Sequence, residues 1–259
     1  MVKLYIESLK MNIKTKIEYK ASFIINTLSQ FAVFFSYYFT ILALFNNFSN
    51  VKGYTMYEVL LCFSIVHFGY AFNEVFFRGI DKFERLIING SLDRYLVRPR
   101  GILFQTMCAD TDLVKLARCA QALIIMFISL NKLHIIWNIS KVITLIFMLI
   151  SSVVIFFSIF VLMASYCFVT VQGLEVKNLL TDGGKFLAKY PISIYGKKIA
   201  FVFTFIIPFG FMNYYPLLYF LGRNNNPIYM VSPLIVLLFM VPCVVLFHVG
   251  LKRYGSTGS

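Results

Sequence analysis

Acidic residues, histidine and tryptophan are scarce in this sequence. Eleven Asp and Glu stand against 24 Lys and Arg, giving a formal net charge of +13, with three His and one Trp in 259 residues. Charged residues make up only 14% of the chain, whereas hydrophobic residues make up 59%. One ordinary soluble core could not bury that much apolar surface, so the composition excludes a typical soluble domain and predicts a chain embedded in lipid.

Motifs for catalysis, redox chemistry and metal binding are also missing. The five cysteines form no CxxC pair, and the three histidines form no HExxH motif. A phosphate-binding loop needs a glycine five positions upstream of the glycine of a Gly-Lys-Ser/Thr sequence. The nearest approach, Gly183-Gly184-Lys185-Phe186, has Leu179 at the upstream position and no hydroxyl at Phe186. These absences argue against an enzyme and against a cofactor or metal bound by this chain.

Long hydrophobic runs are what the sequence has in abundance. About 20 apolar residues are needed to cross roughly 30 Å of hydrocarbon. Five runs reach this length. A sixth has a shorter apolar part, Cys119 to Leu130, but it can still span because Lys132 at its end can extend its ammonium group to the interface. We therefore predict an all-α integral membrane protein with six transmembrane helices. The predicted spans are residues 23–45, 55–77, 113–137, 143–171, 199–221 and 228–250.

Basic residues outside the spans predict the orientation of the chain, because Lys and Arg in short loops favour the cytoplasmic side. With six spans and both termini cytoplasmic, 20 of the 24 basic residues fall inside. The four basic residues predicted on the outer side of the membrane are Lys52, Lys132, Lys141 and Arg223. Without the third span, the loop from Lys177 to Lys198 would lie outside. Orientation and contact with anionic membrane lipid account for the positive charge, so no nucleic-acid partner is expected.

Three segments outside the spans are informative. Residues 1–20 have Ile6, Leu9, Ile13 and Ile17 on one side of a helix, which predicts an N-terminal interfacial helix on the inner membrane surface. The alternative is a basic tail that only enforces orientation. Residues 172–198 are interpreted as a second cytoplasmic segment, and residues 255–259 as the remnant of a tag.

The segment from Arg78 to Arg118 is about 40 residues long, whereas connections between helices usually need 2 to 8. Charged residues alternate there with apolar ones, and Asn89-Gly90-Ser91 is a turn signal. We predict a helix, a turn and a second short element, and we interpret the segment as a docking surface.

Two sets of residues resemble bacterial ABC-2-type transporter permeases. The first set is Gly90-Ser91-Leu92-Asp93 followed by Leu96-Val97-Arg98-Pro99. The second set is Tyr190-Pro191-Ile192-Ser193-Ile194-Tyr195, continuing to residues 207–216 and Leu221-Gly222, and it is similar to the fifth-span region of the same subgroup. The similarity runs in order over nearly the whole chain.

The resemblance implies a single permease domain over residues 1–254 with type-2 ABC exporter architecture, in the plasma membrane of a bacterium. It implies pairing with a second permease subunit, either a copy or a sister chain, and with cytoplasmic ABC ATPase subunits that bind ATP and magnesium. It also implies outward movement of a hydrophobic or amphipathic compound, such as a drug, peptide, lipid or glycan. In the family, the connection between spans two and three couples the permease to the ATPase. The coupling residues expected here are Arg85, Gly90, Ser91, Leu92, Asp93, Leu96, Arg98 and Pro99.

Polar residues inside the predicted spans are candidates for lining the substrate path, because such residues are costly to bury in lipid. Each has a structural alternative, since polar side chains also join membrane helices by hydrogen bonds. For His67, a neutral ring against a neighbouring helix is favoured over a proton relay. Glu74 and Arg78 are four residues apart, which favours a local ion pair. The substrate-path candidates are Asn26, Gln30, His67, Asn73 and Asn213.

Two other classes of function compete with the exporter. A stand-alone secondary carrier would need ion-coupling groups at the middle of the membrane, often in two related halves, and only His67 meets the first requirement. A membrane scaffold or sensor that does not transport could use the same docking segment.

Overall fold

Helices account for the regular structure in the computed structural model, which describes residues 2–18, 20–170, 176 and 178–255. Among these residues there is no strand, and a single isolated bridge joins Val51 to Tyr54. The predicted all-α class is therefore confirmed. Residue 171 of the predicted fourth span, residues 172–175 and 177 of the second polar segment, and residues 256–259 of the tail lie outside the described residues.

In chain order the α-helices are α1 (Val2–Ile17), α2 (Lys20–Asn47), α3 (Met56–Phe76), α4 (Arg78–Asp81), α5 (Phe83–Ile88), α6 (Asp93–Leu96), α7 (Ile102–Ala109), α8 (Leu116–Lys132), α9 (Ile139–Tyr166), α10 (Gly184–Ala188), α11 (Lys197–Phe201), α12 (Tyr215–Phe220), α13 (Pro227–Val231) and α14 (Ile235–Arg253). Short 3-10 turns at Leu113–Lys115 and Ser232–Leu234 extend α8 and join α13 to α14. Five of the resulting helical segments are long and apolar enough to cross a membrane: Lys20–Asn47, Met56–Phe76, Leu113–Lys132, Ile139–Tyr166 and Pro227–Arg253.

Helix α3 is the centre of the bundle. Its most apolar stretch is 83% buried, whereas that of α2 is 11% buried. A side chain at Gly69 would collide with the backbone of Ser152, so the glycine permits close contact between α3 and α9. Asn73 strengthens this contact by donating from Nδ2 to the Val153 carbonyl at 2.8 Å.

The bundle has two ends, which we name after residues of α3 and α4. At the Glu58 end, the start of α3 meets Arg223, whose Nη2 lies 2.6 Å from Glu58 Oε1, and the turn before α9 places Trp137 against Phe220. At the Arg78 end, α4 and α5 meet the ends of α9 and α14, and α1 packs against α7. Phe83 of α5, for example, contacts Phe247 of α14 at 5.3 Å between ring centroids.

Residues 178–195, which we call the lysine segment, run from the Arg78 end to the Glu58 end. The segment combines the π-helical turn Leu179–Gly183 with α10 and the 3-10 turn Ile192–Tyr195. Thr181 shares a cavity with Glu74 and Arg78 at one end. At the other end, Lys52 Nζ donates to the Ile194 carbonyl at 3.0 Å. Residues 178–195 therefore extend between the two ends of the bundle, which differs from the predicted placement of residues 172–198 at one cytoplasmic end.

Residues 197–220, which we call the apolar hairpin, follow directly. Its two arms, Lys197–Ile206 and Gly210–Phe220, are bent by 91° relative to each other. The bend falls at Ile207, which has extended backbone angles, and at Pro208, which has no N–H to continue a helix. The hairpin starts just after Ile194 and ends just before Arg223, which donates to the Gly53 carbonyl at 2.9 Å. Both ends lie at the Glu58 end, which is the arrangement of a re-entrant hairpin; by length and composition the bent pair also fits one broken span, so the predicted fifth span over residues 199–221 stays a prediction.

Candidate coupling surface and membrane-depth site

The predicted docking segment folds as four short helices at the Arg78 end. Gly90 has a φ of +60°, which glycine adopts without strain, and its N–H donates to the Ile87 carbonyl at 3.0 Å. Leu92 N–H then donates to the Leu86 carbonyl at 3.1 Å. The turn reverses the chain between α5 and α6, which matches the predicted order of helix, turn and short element.

The eight predicted coupling residues do not all face outward. Leu92 is completely buried in the core, Gly90, Ser91 and Asp93 are half-buried, and Arg85, Leu96, Arg98 and Pro99 are exposed. Leu92 therefore supports the turn and is not available to a partner. The list of predicted coupling residues left out three exposed neighbours, Arg94, Val97 and Arg100. We define the coupling ridge as Arg94, Leu96, Val97, Arg98, Pro99 and Arg100.

Helix α1 lies beside this ridge. Tyr5 donates from its hydroxyl to the Phe76 carbonyl at 2.7 Å, and Ser8 donates to the Cys108 carbonyl at 2.5 Å. Burial, with a smaller effect of Cys108, raises the pKa of Tyr5 to about 12. A groove of about 580 Å³ remains between α1 and residues 95–109, and Arg98 and Pro99 are among the residues that line it.

An ion-pair cluster fastens the end of α1 to the docking segment. Lys16 Nζ lies 3.2 Å from Asp110 Oδ1, and Lys82 pairs with the other carboxylate oxygen. Burial acts to raise the pKa of Asp110, but the two ammonium groups outweigh it and hold that pKa below its usual range. Asp110 is therefore ionised at neutral pH and holds α1 against α4–α7.

A second cluster surrounds Glu74 near the end of α3. Its carboxylate lies 3.0 Å from Arg78 Nη1, 3.1 Å from Arg118 Nη1 and 3.6 Å from Lys115 Nζ. The predicted pair between Glu74 and Arg78 is present. Arg78 also lies 2.6 Å from Asp81. Burial acts to lower the pKa of Arg78, but Asp81 and Glu74 raise it overall, so its charge is fixed.

Most of the predicted substrate-path residues join parts of the protein. Asn26 is exposed and donates to Ser22 on its own helix, and Gln30 accepts from Lys115 at 3.0 Å. Asn73 connects α3 to α9, as described above. Asn213 connects three elements, because its Nδ2 donates to the carbonyl of Cys62 at 3.3 Å and of Ala188 at 3.0 Å. These contacts match the structural alternative stated for such residues.

His67 is the exception, because it lies beside two buried lysines. Its ring packs against Phe63 at 4.2 Å and Tyr37 at 5.6 Å between centroids. It also lines a small cavity with Tyr37, Phe186, Lys185 and Lys189. The buried candidates are His67, Asn73 and Asn213. Among the described contacts of these three, those of His67 include the cavity that it shares with Lys185 and Lys189.

Lys185 and Lys189 are 9% and 6% exposed, at the depth of Tyr70 and His67 in the middle of α3. A lysine at this depth costs about 2.5–3.5 kcal/mol on membrane-insertion scales. Lys185 has compensation, since its Nζ lies 2.6 Å from Asp182 and 3.5 Å from the Tyr70 ring centroid. Lys189 lies over the rings of Phe186 at 4.5 Å and Tyr190 at 5.1 Å.

Sequence reasoning missed these two lysines because it assigned residues 172–198 to the cytoplasm. The available signal was their spacing of four residues around the apolar Phe186-Leu187-Ala188, which places both on one face of a helix inside an apolar stretch.

Comparisons with known proteins agree with this architecture. A family model described as ABC-2 family transporter protein matches residues 31–258, which include the docking segment, the lysine segment and the apolar hairpin. Comparison with curated proteins and with solved structures gives no match.

Proposed function

Because the chain belongs to the ABC-2 family of transporter proteins, we propose that it is the transmembrane permease subunit of an ATP-driven exporter in a bacterial plasma membrane. In this proposal it crosses the membrane six times, through α2, α3, α8, α9, the lysine segment and the run from α13 to α14. The apolar hairpin enters from the Glu58 end and returns to it.

The distribution of basic residues supports a cytoplasmic Arg78 end and two cytoplasmic termini. Fifteen Lys and Arg of the described part lie at that end: Lys3, Lys10, Lys14, Lys16, Lys20, Arg78, Lys82, Arg85, Arg94, Arg98, Arg100, Lys115, Arg118, Lys252 and Arg253. Six lie at the Glu58 end: Lys52, Lys132, Lys141, Lys197, Lys198 and Arg223. The excess of Lys and Arg at the Arg78 end therefore remains when the lysine segment, and not residues 199–221, is taken as the fifth crossing.

The exposed coupling ridge is the observation that carries the proposed docking of an ATPase. Val97 is 84% exposed, and Arg94, Arg98 and Arg100 surround it with positive charge. An apolar residue ringed by arginines is suited to an acidic, partly apolar groove on a cytoplasmic ATPase subunit, which would bind ATP and magnesium.

Rigid contacts would carry a push on the ridge into the membrane. Gln105 of α7 is hydrogen-bonded to the ridge and its neighbour: its Nε2 donates to the carbonyls of Tyr95 at 3.0 Å and Arg100 at 2.8 Å. A side chain at Gly79 would collide with the Thr106 carbonyl, so α4 and α7 are in close backbone contact. Glu74 then joins Arg78 to α8 through Arg118.

Helix α2 supports pairing with a second permease subunit. Its outer face is apolar and exposed along its whole length, with residues such as Ile24, Leu28, Phe35 and Phe39. A second permease subunit, together with lipid, would cover this face. The cargo in this proposal is a hydrophobic or amphipathic compound moved outward.

The proposal is tested by affinity purification from membranes in mild detergent, followed by identification of bound chains and an ATPase assay. Val97→Asp and Arg98→Glu should abolish recovery of an ATP-hydrolysing partner. Ile136→Asp is the matched control, because Ile136 is 85% exposed but lies at the opposite end. Leu92→Asp is unsuitable, since that side chain is in the core.

Recovery of the ATPase with the intact chain and the Ile136 variant, but not with the ridge variants, would support the proposal. A well-folded intact protein that never recovers an ATPase would contradict it, as would a partner that the ridge variants retain.

A further inference from the structure

We propose that Lys185 and Lys189 form a binding site for the anionic group of an amphipathic cargo, halfway along the lysine segment. This deepens the proposed function, on which it rests, by naming the class of compound: an organic anion with a carboxylate, phosphate or sulfate group and an apolar tail.

The two lysines lie on one face of the lysine segment, one helical turn apart. Lys185 contacts Asp182 and the face of Tyr70, and Lys189 lies over Phe186 and Tyr190. Both line one cavity with Tyr37 and His67. The two lysines therefore line one small cavity, while their ammonium groups contact different rings.

Positive charge exceeds negative charge at this place. Asp182 is paired with Lys185, and within the part of the chain that the structure describes no carboxylate lies within 4 Å of Lys189 Nζ. Ring faces attract a cation, but they give the ammonium group no hydrogen-bond acceptor of the strength of a carboxylate. A bound anion would supply that acceptor, and would be held between Lys189 and Lys185.

The walls of the cavity explain why the cargo should also be apolar. Tyr37 and Phe186 meet edge to face at 5.5 Å between ring centroids, and Phe186 is 45% exposed on the side that continues into the apolar face of α2. A tail attached to the anionic group would lie along these rings. The cavity itself holds about 10 Å³, so the anionic group enters only when Tyr37 and Phe186 move apart.

An entry route from the Arg78 end is also present. A cavity of about 430 Å³ reaches from Arg85 and Lys82 to Tyr70, whose ring contacts Lys185. Three carboxylates, Glu74, Asp81 and Glu84, balance the three basic residues that line this cavity, so it offers a polar route and the preference for an anion comes from the two lysines.

The test measures binding to the purified permease in phosphatidylcholine nanodiscs, with no ATPase present. The probe is 11-(dansylamino)undecanoic acid, and its carboxamide is the uncharged partner with the same tail. We expect saturable binding of the acid, beyond partition into empty nanodiscs, to be about tenfold tighter than that of the amide, as one charge-assisted hydrogen bond would give.

Lys189→Gln should reduce binding of the acid to the level of the amide, and Lys189→Arg should preserve the preference. Lys198→Gln is the matched control, because it removes the same charge from an exposed position at the Glu58 end. Equal binding of acid and amide to the intact chain would overturn the proposal, and so would an acid preference that survives in the Lys189→Gln variant.

If Lys189→Gln fails to fold, the comparison of acid with amide on the intact chain and on Lys185→Gln still decides the question. Failure of this experiment would leave ATPase docking at the coupling ridge untouched. Loss of ATPase recovery, in turn, would not affect the binding measured here.

Discussion

The lysine segment and the apolar hairpin are neighbours in the chain and behave in opposite ways. The lysine segment carries Asp182, Lys185 and Lys189, yet it runs from one end of the bundle to the other. The apolar hairpin exposes large apolar side chains such as Phe201, Phe205 and Ile206, yet it turns back to the end at which it started. The more polar of the two segments is the one that extends between the two ends of the bundle.

The difference shows that neighbours, as well as hydropathy, decide which segment extends between the two ends of the bundle. Lys185 and Lys189 are buried among protein side chains, and Asp182 and the Tyr70 ring compensate Lys185, whereas the Asp182 side chain itself is 52% exposed. The hairpin is apolar enough to cross, but the break at Ile207 and Pro208 turns its second arm by 91°. Irregular backbone at membrane depth is tolerated there because it is packed against α3 and α10 through Asn213.

The largest expected effect concerns the side of the membrane on which each segment begins and ends. Lys198→Cys lies at the start of the hairpin and Asn224→Cys just after its end, and both single cysteines should react with a membrane-impermeant maleimide added to intact cells. Asn178→Cys, at the far end of the lysine segment, should react only after the cells are permeabilised. The five native cysteines are buried and should give a low background.

Ser49→Cys, in the exposed loop at the Glu58 end, is the positive control for labelling from outside. If Lys198→Cys and Asn224→Cys were labelled from opposite sides, the hairpin would be a true crossing and the comparison above would fail.

Four of the five long helices could be predicted from length and apolar composition alone, whereas Leu113–Lys132 also needed the distribution of basic residues, because its apolar run is short. The turn at Gly90 could also be predicted, since a positive φ in a polar context favours glycine. The fifth crossing could not. A hydropathy argument treats every segment as if it faced lipid, so it favoured residues 199–221 over a segment with two lysines.

The residues of the candidate sites also fall into two groups, those that a local sequence motif can indicate and those whose position depends on a long-range contact. Arg98 and Pro99 belong to a local exposed turn, and a local motif was enough to predict them. The joint position of His67 with Lys185 and Lys189 depends on which face of α3 meets the lysine segment, and that contact joins residues more than 110 positions apart. A single sequence carries no direct signal of such a contact.

A smaller effect is expected where the two segments are tied together. Asn213→Ala removes the hydrogen bonds from the hairpin to Ala188 and to Cys62 of α3. We expect a loss of about 1–3 kcal/mol in the free energy of unfolding, because buried carbonyl groups lose a donor. Unfolding by titration with SDS in mixed micelles measures the difference.

Asn47→Ala is the matched control, because Asn47 is exposed and bonds only to the Ala43 carbonyl of its own helix. It should change the stability little. Equal losses in the two variants would mean that Asn213 does not tie the hairpin to the lysine segment.

The smallest effect concerns the ion pairs of Asp110 with Lys16 and Lys82 at the Arg78 end, compared with the pair of Asp182 and Lys185 in the lysine segment. The pKa of Asp110 is lowered in the folded protein, so the carboxylate binds its proton less readily than in the unfolded chain. Its stabilising contribution is therefore fully present above its ordinary pKa of about 3.9, and is lost as the pH falls through the lower folded value. Because the Asp110 side chain is 27% exposed, we expect less than about 1 kcal/mol.

The measurement is the difference in unfolding free energy between the intact chain and Asp110→Asn at pH 7 and near pH 3, in low and high salt. The intact chain should be the more stable at pH 7, and the difference should shrink both at pH 3 and in high salt, because water and ions reach this pair. The Asp182 side chain is 52% exposed, so the corresponding difference for Asp182→Asn should shrink in high salt at least as much. A difference for Asp182→Asn that high salt leaves unchanged would contradict this expectation, because it would mean that ions do not reach a carboxylate that is half exposed in the structure.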